Sequence, residues 1–245
     1  MQKLAVQNIS KSYPSLDVLE SFTFQLHEGE FLTILGPSGC GKSTLLQIIS
    51  GLISPDRGEV FFEGKKCTST TGLMSFMHQK DLLLPWKNVL ENISIPLRLK
   101  GMSRKNARRE ASSHLGRFGL DGFEKYYPIQ LSGGMRQRAA LLRTYLYQSD
   151  VMLLDEPFGA LDAITREGMQ EWLLGIMEEV RTTVVLVTHA VEEALLLSDR
   201  ILVLSPRPSV VKEEIAVPFP HPRDSSLRLS AEFLELKRRV LVSLD

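Results

Sequence analysis

Cysteine, net charge and long apolar runs are scarce or absent in this sequence of 245 residues. The two cysteines, Cys40 and Cys67, lie far apart and lack metal-ligand spacing, which excludes a disulfide framework and a zinc motif. Lysine plus arginine and aspartate plus glutamate number 29 each, so no bulk positive field attracts nucleic acid or an anionic membrane, and we expect no nucleic-acid partner. No apolar stretch approaches the roughly 18 residues of a membrane span. Any membrane contact is therefore expected to go through a partner protein.

Hydrophobic residues, by contrast, are plentiful and regularly spaced. They make up 43% of the chain, which is enough to bury the core of one large domain or two small ones. The first residues lead directly into a strand-like pattern and not into a signal peptide, so we expect a cytoplasmic protein.

The patterning predicts an α/β fold with parallel strands in its core. Predicted strands cover residues 4–9, 22–26, 30–35, 59–62, 151–154 and 183–187. Predicted helices cover residues 42–49, 135–147 and about 163–180, an amphipathic stretch at 104–118, and a final helix with apolar residues at 233, 236, 240 and 244. Between about residues 85 and 143 the pattern turns helical, which indicates a helical lobe inserted into the core.

Residues 36–44 read GPSGCGKST and fit the GxxxxGK[ST] pattern of a nucleotide phosphate cradle. The glycines let backbone N–H groups approach phosphates, the following helix presents its positive end, and Lys42 adds a full charge. Ser43 offers a hydroxyl to Mg²⁺. The predicted phosphate contacts are Gly36, Pro37, Ser38, Gly39, Cys40, Gly41, Lys42, Ser43 and Thr44. The motif alone does not separate a kinase, a switch GTPase, a helicase and a transport ATPase.

Two adjacent carboxylates, Asp155 and Glu156, follow the apolar residues 151–154. They are expected at the carboxyl end of a buried strand, where open α/β sheets bind ligands. Asp155 suits a role as a metal ligand through water, and Glu156 suits a role as the general base that activates the attacking water.

A second anion-binding helix start is predicted at residues 131–138, which read LSGGMRQR. Ser132, Gly133 and Gly134 form a turn that opens a helix, and its free N–H groups can bind phosphate. One chain therefore carries two sites for the phosphates of a nucleotide.

With the phosphate loop and the two carboxylates, this turn resembles the signature of the ATP-binding cassette (ABC) family. The resemblance covers about residues 4–205 and implies a P-loop NTPase of the ABC ATPase type: α/β, with a parallel-core sheet, N-terminal antiparallel strands and an inserted helical lobe. It implies one domain over residues 1–245. Residues 1–84 and 144–205 would form a RecA-like core with an N-terminal β part, residues 85–143 the helical signature lobe, and residues 206–245 a C-terminal extension.

The same resemblance implies roles for further residues. Tyr13 is similar to the family's adenine-stacking aromatic, and Asp162, in the GALD sequence at 159–162, matches a loop that passes signals across a dimer. Gln79 looks like the switch glutamine that meets the metal and the attacking water, and His189 like the switch histidine at the γ-phosphate. The implied catalytic set is Lys42, Gln79, Glu156 and His189, and the implied Mg²⁺ set is Ser43, Gln79 and Asp155.

The family arrangement implies a homodimer that binds ATP and Mg²⁺ between its two chains. Residues 83–86 (LLPW), 130–138 (QLSGGMRQR) and 205–208 (SPRP) look like those of the nitrate, sulfonate and taurine importer ATPases, a group that includes transporters of thiamine-precursor pyrimidines. The implied partners are transmembrane permease subunits and, indirectly, a periplasmic or lipid-anchored solute-binding protein. The implied location is peripheral, on the cytoplasmic face of the cell membrane.

Several alternatives stay open at this point. An exporter ATPase subunit is one rival, although such chains usually carry fused membrane helices. A soluble ABC ATPase of DNA repair or translation is another, although these usually have two cassettes or a long coiled-coil insertion.

Trp86 is equally compatible with the core and with a groove for a permease helix. Residues 142–145 (LRTY) and 149–150 (SD) depart from the family pattern.

Overall fold

The computed structural model describes residues 1–159, 161–180 and 182–244. The strands are β1 (Gln2–Tyr13), β2 (Leu16–His27), β3 (Phe31–Leu35), β4 (Arg57–Phe62), β5 (Lys65–Lys66), β6 (Ser75–Met77), β7 (Val151–Asp155), β8 (Thr183–Thr188), β9 (Arg200–Leu204) and β10 (Val211–Ala216). The α-helices are α1 (Lys42–Ile49), α2 (Val89–Ile93), α3 (Ile95–Leu99), α4 (Arg104–Ser113), α5 (Gly133–Tyr145), α6 (Ala163–Val180), α7 (Val191–Leu197) and α8 (Ala231–Leu244).

Two sheets organise these elements. The larger has the order β10-β9-β3-β8-β7-β6, in which β10 is an antiparallel edge strand and the other strands run parallel. The smaller has the order β2-β1-β4-β5 and is antiparallel throughout. The predicted fold class is therefore confirmed: a parallel-core sheet is combined with N-terminal antiparallel strands and an inserted set of helices.

The central strands β3, β7 and β8 are buried along their whole length, as expected for parallel strands covered on both faces. Because side chains alternate along a strand, Val185 and Val187 join the apolar cluster beneath α1 and the smaller sheet. Val184 and Leu186 join the cluster shared with α5, α6 and the helical lobe. The sheet is thus fixed from both sides, which holds the carboxyl ends of its strands in place.

The predicted element bounds differ most from the structure in two regions. The expected strands at residues 4–9 and 22–26 are parts of two twelve-residue strands that pair as far as Tyr13 and Leu16. Their outer ends are mostly polar and exposed, so hydrophobic patterning misses them. The amphipathic stretch at 104–118 was predicted as one helix, but α4 ends at Ser113 and turns follow. Phe118 is nevertheless fully buried, because a turn can also bring its side chain to the core.

The C-terminal residues pack back onto the larger sheet. Phe233 and Val240 of α8 join a third apolar cluster with residues of α7, β9 and β10. Among the described helices, none combines the length and the apolar character needed to cross a membrane.

Candidate active site

The predicted site residues follow neighbouring parallel strands. The phosphate loop follows β3, His189 follows β8, Asp155 ends β7, and Gln79 lies two residues beyond β6. Because these strands are adjacent in the order β3-β8-β7-β6, their carboxyl ends place the four features side by side at one edge of the sheet. Open α/β sheets bind their ligands at this edge.

The phosphate loop is preorganised around Lys42. The Nζ atom of this lysine donates to the carbonyl oxygens of Gly36 and Pro37 at 2.8 and 2.9 Å. Gly41 has a φ of 118°, and a Cβ atom there would lie 2.7 Å from Cγ1 of Val18, so only glycine fits. No side chain caps the start of α1, which leaves its first N–H groups available to an anion.

Ser43 and Asp155 form a pair of oxygen donors beside this loop. Ser43 Oγ donates to Asp155 Oδ1 at 3.0 Å, and Asp155 is only 4% exposed. Burial and, to a smaller extent, the charge of Glu156 raise the pKa of Asp155, while the Ser43 hydrogen bond and Lys42 oppose the rise. A hydroxyl and a buried carboxylate whose negative charge is not fully balanced by neighbouring positive charge are suitable ligands for a hard divalent cation. The residues present therefore fit Mg²⁺.

Glu156 is the point where the predicted catalytic residues meet. Its Oε2 atom accepts a hydrogen bond from Gln79 Nε2 at 3.1 Å, and its Oε1 atom lies 3.3 Å from His189 Nδ1 and 3.9 Å from Lys42 Nζ. The backbone of Glu156 has a φ of 44°, a left-handed conformation that is uncommon outside glycine and clusters at functional sites. The structure thus brings Lys42, Gln79, Glu156 and His189 together.

Replacing Asp155 with asparagine is expected to stabilise the nucleotide-free protein. Burial raises the pKa of Asp155, so its charged form costs folding free energy above the carboxyl's unfolded-state pKa. Asparagine carries no charge and can still accept the Ser43 hydrogen bond. At pH 7 we expect the Tm to rise by about 2–4 °C, the scale of about 1 kcal/mol for a chain of this size.

Scanning calorimetry with and without Mg-ATP checks this expectation. The gain should disappear as the pH falls through the titration range of the carboxyl. The rise in Tm on adding Mg-ATP should shrink, because the predicted metal ligand is lost. Asp121→Asn, at an exposed position, is the matched control and should change neither quantity. A nucleotide-free Tm at or below that of the parent protein contradicts the expectation.

The signature residues contact a different part of the same chain. Ser132 is the N-cap of α5, and its Oγ atom accepts from the N–H of Met135 at 3.2 Å. A Cβ atom on Gly134 would lie 2.9 Å from Cγ2 of Thr165, so the turn packs tightly against the start of α6. Asp162 accepts from the N–H of Thr165 at 3.1 Å. Among the described contacts of Ser132, Gly133 and Gly134, none reaches the phosphate loop.

Ala160, which belongs to the predicted signalling loop at 159–162, lies outside the described residues.

Tyr13, the predicted adenine-stacking residue, ends β1 and is 41% exposed. The Lys11 ammonium lies 5.6 Å from the centre of its ring. The strand paired with it brings Val18 against Gly41, so Tyr13 belongs to the hairpin that adjoins the phosphate loop.

Sequence reasoning missed the residues that hold the loop after Gln79. Arg143 on α5 donates to the carbonyl oxygens of Asp81 and Leu82, both at 2.7 Å. Arg136, two turns earlier, lies 3.2 Å from the Asp81 carboxylate. The seven-residue spacing of the two arginines places them on one face of α5. This spacing is the feature of the sequence that could have identified them. The α5 helix is thereby joined to the loop that carries the predicted switch glutamine.

A third missed arginine touches the phosphate loop itself. Arg207, just beyond β9, donates from Nε to the carbonyl oxygen of Gly39. No pattern in the sequence indicates this contact, because the two residues are 168 positions apart.

A strand, a glycine-rich loop and a helix that begins at a lysine, next to a buried aspartate, define the class of P-loop nucleoside triphosphatases. A family model described as "ABC transporter" matches residues 19–159. The chain belongs to this family, and it is an ATP-binding ATPase that serves transmembrane transport.

Curated relatives agree with this assignment. An uncharacterised ABC transporter ATP-binding protein of Methanocaldococcus jannaschii is 42% identical over 98% of this chain and 90% of its own length. The aliphatic sulfonates import ATP-binding protein SsuB of Bacillus cereus is 44% identical over 95% and 90%. The formylaminopyrimidine import ATP-binding protein ThiZ of Halalkalibacterium halodurans is 44% identical over 88% and 84%. The predicted resemblance to this group is confirmed.

Among solved structures, a dimeric ATP-binding cassette in a post-hydrolysis state, bound to ADP and Pi, matches with a TM-score of 0.78. It is 33% identical to this chain, and the match covers 89% of this chain and all of the other. The ABC ATPase fold is therefore confirmed at the level of the whole cassette.

Proposed function

We propose that this chain is the ATP-hydrolysing subunit of an importer and that it works as a homodimer with ATP bound between the two copies. The observation that carries the proposal is the convergence of Gln79, His189 and Lys42 on Glu156, within 3.1–3.9 Å. A carboxylate that faces an amide, an imidazole and an ammonium can hold a water molecule beside a terminal phosphate.

The chemistry follows from these positions. The loop N–H groups and Lys42 bind the phosphates, and Glu156 takes a proton from water as the water oxygen attacks the γ-phosphorus. The bond to the β–γ bridging oxygen breaks, and ADP keeps that electron pair. Gln79 and His189 orient the water and the γ-phosphate. Ser43, Gln79 and Asp155 would hold Mg²⁺, which would neutralise phosphate charge.

The homodimer is supported by the position of the signature turn. Ser132 is exposed at the start of a helix whose first N–H groups can bind an anion. None of the described contacts of this turn reaches the phosphate loop of its own chain, so a phosphate held there would come from a second copy. The solved relative bound to ADP and Pi is dimeric. Tyr13 would stack on the adenine, and Asp162 would lie near the facing chain.

An exposed apolar surface beside Gln79 is suited to a permease. Trp86 is 70% exposed and Leu82 is 50% exposed, so Trp86 is not a core residue. Large exposed aromatics next to a catalytic loop are typical of a surface that receives a partner helix. Such a contact would make the ATPase a peripheral protein on the cytoplasmic face of the membrane.

The transported solute is proposed by analogy with the relatives. Their printed names give aliphatic sulfonates and formylaminopyrimidine as the imported compounds. We place the cargo of this chain in the same range of small solutes, which includes nitrate, sulfonates, taurine and pyrimidine precursors. A separate periplasmic or lipid-anchored binding protein would select it.

Replacing Trp86 with glutamate is expected to release the permease. A central aromatic anchor commonly contributes at least about 2 kcal/mol to an interface, and a buried carboxylate adds a desolvation cost. Recovery of a multi-span permease with the tagged chain from detergent-solubilised membranes should fall by about tenfold or more. Mass spectrometry identifies the permease and measures its amount.

Val242→Glu is the matched control, because Val242 is 68% exposed on α8, away from the proposed surface. It should leave permease recovery unchanged, and both variants should keep the ATPase activity of the purified subunit. If the Trp86 variant recovers as much permease as the parent chain, the proposed surface is wrong. If the parent chain recovers no permease but its activity rises with DNA or ribosomes, the importer assignment is wrong.

A further inference from the structure

A chain of buried and partly buried hydrogen bonds begins in the C-terminal extension and leads to the sheet. Arg228, in the 3-10 turn Ser225–Leu229, donates from Nη2 to Oε1 of Gln170 on α6 at 2.5 Å. Gln170 Nε2 donates to Oε1 of Glu193 on α7 at 3.1 Å. Both Gln170 and Glu193 are buried. These bonds connect three segments that are remote in the sequence.

The chain of bonds ends at the two residues that flank His189. Thr188 Oγ1 donates to Oε2 of Glu193 at 2.6 Å, and the same hydroxyl oxygen accepts from the N–H of Ala190 at 3.0 Å. The backbone on both sides of His189 is therefore fixed by one hydroxyl, and that hydroxyl is fixed by Glu193. We call Arg228, Gln170, Glu193 and Thr188 the relay.

The relay has only one consistent direction. Arg228 can only donate, so the amide oxygen of Gln170 must face it and the amide nitrogen must face Glu193. Both oxygens of Glu193 then accept, which suits a carboxylate. Burial raises the pKa of Glu193, and the bond from Thr188, the charge of Arg166 and the bond from Gln170 oppose this rise. A glutamine at 193 keeps only one acceptor, so it could still accept from Gln170, but the Thr188 hydroxyl would have to accept from its amide and could no longer donate to it.

A second arginine attaches the extension to the far end of α7. Arg223 has a side chain that is 1% exposed, and it donates to the carbonyl oxygens of Leu195, Leu196 and Ser198. These carbonyls lie at the end of the helix, where a cation is favourable. The extension thus holds α7 at its end through Arg223 and near its start through the relay. The catalytic roles proposed above involve none of these contacts.

We propose that Glu193 is a positioning residue for His189 and that the C-terminal extension sets this position through Arg228. The inference rests on the proposed role of His189 at the γ-phosphate. A histidine whose flanking backbone is held by the relay meets Glu156 and the γ-phosphate in a fixed geometry. Displacement of residues 223–229 of the extension would then slow hydrolysis without weakening ATP binding, since the phosphate loop follows a different strand and contacts the extension elsewhere, at Arg207.

The test measures kcat, KM and the equilibrium Kd for ATP with the purified full-length protein. Arg228→Met removes the donor and keeps the aliphatic stem, and we expect kcat to fall about fivefold with Kd unchanged within about twofold. Glu193→Gln should lower kcat about tenfold. Because both changes act on one relay, the double variant should be no slower than Glu193→Gln. Arg228→Lys keeps a donor and should recover part of the loss.

Arg238→Met, at an exposed position of the same extension, is the matched control and should keep the parental kcat. The proposal is wrong if Arg228→Met keeps the parental kcat. It is also wrong if the kcat losses of the two single variants multiply in the double variant, or if the affinity for ATP falls by as much as kcat. If Glu193→Gln fails to fold, the variants Arg228→Met and Arg228→Lys decide the question alone. Arg228 is only partly buried, with 14% of its side chain exposed, so we expect these variants to fold.

His189→Ala, measured in parallel, separates failure of the relay from failure of the site. If His189→Ala loses most of its kcat while the Arg228 and Glu193 variants keep the parental value, only the relay is wrong. If His189→Ala keeps the parental kcat, the proposed role of His189 is wrong, and the relay inference fails with it.

Discussion

Glu156→Gln is expected to lower kcat for ATP hydrolysis by about a thousandfold, within the range that general acid–base catalysis contributes. Glutamine keeps the shape of the side chain but cannot take the proton from the attacking water. Glu156 is also the carboxylate that Gln79, His189 and Lys42 contact, whereas the adjacent Asp155 is hydrogen-bonded to Ser43. The phosphate loop is untouched, and ATP binding should remain within a few-fold of the parental value.

The same variant should accumulate as an ATP-bound dimer. The γ-phosphate would stay in contact with both chains when it is not cleaved, and those contacts favour the closed pair. Size-exclusion chromatography with Mg-ATP should show the dimer, and hydrolysis assays should show the loss of turnover. Glu235→Gln, at an exposed position on α8, should behave like the parent protein. Ordinary turnover in Glu156→Gln would remove Glu156 from its proposed role.

Lys42→Ala and Ser132→Arg are each expected to abolish hydrolysis, yet pairs that contain one chain of each should recover it. Lys42 supplies the positive charge within the phosphate loop. An arginine at position 132 removes the side-chain oxygen that caps α5 and places a bulky side chain in the signature turn. In a mixed pair one site carries both defects. The other combines an intact phosphate loop with an intact signature turn.

Two affinity tags, one on each variant, allow the mixed pairs to be isolated. Their activity should be at least tenfold above that of either variant alone and reach up to about half of the parental value, because one of two equivalent sites is intact. The unmixed variants, carried through the same purification, are the controls. Mixed pairs that form but stay as inactive as the unmixed variants would falsify the shared site.

The motifs of the candidate site could be recognised in the sequence because each is local. The phosphate loop, the adjacent carboxylates and the signature turn each occupy a few consecutive residues, and each marks the end of a strand or the start of a helix. Gln79 and His189 required the family resemblance, since single residues carry little pattern of their own. Their contact with Glu156 then follows from the strand order, which brings four strand ends to one edge of the sheet.

The residues that sequence reasoning missed are long side chains that reach across the fold. Arg143 reaches Leu82 over 61 positions, and Arg207 reaches Gly39 over 168. A guanidinium that bonds to a carbonyl oxygen leaves no trace at the second position, because every residue has a carbonyl. Glu193 was missed for a related reason, since its buried carboxylate depends on hydrogen-bond partners from two other segments, α6 and β8. The outer bounds of β1 and β2 were missed because those ends are polar, whereas α4 was predicted too long because the buried Leu115 and Phe118 beyond its end keep the apolar spacing.

The attachment of α5 to the loop after Gln79 has a mechanical consequence. At one end of this helix lies the signature turn, and along its side Arg136 and Arg143 hold Asp81 and Leu82. Thirteen residues of helix form a stiff rod of about 20 Å. Packed helices in switching proteins shift by about 1–2 Å. In the proposed pair, such a shift where the rod meets the facing chain's ATP would be carried to the loop beside the proposed permease surface at Leu82 and Trp86. The helix would transmit the presence of ATP to the loop after Gln79 as a rigid body, without the folding or unfolding of any segment.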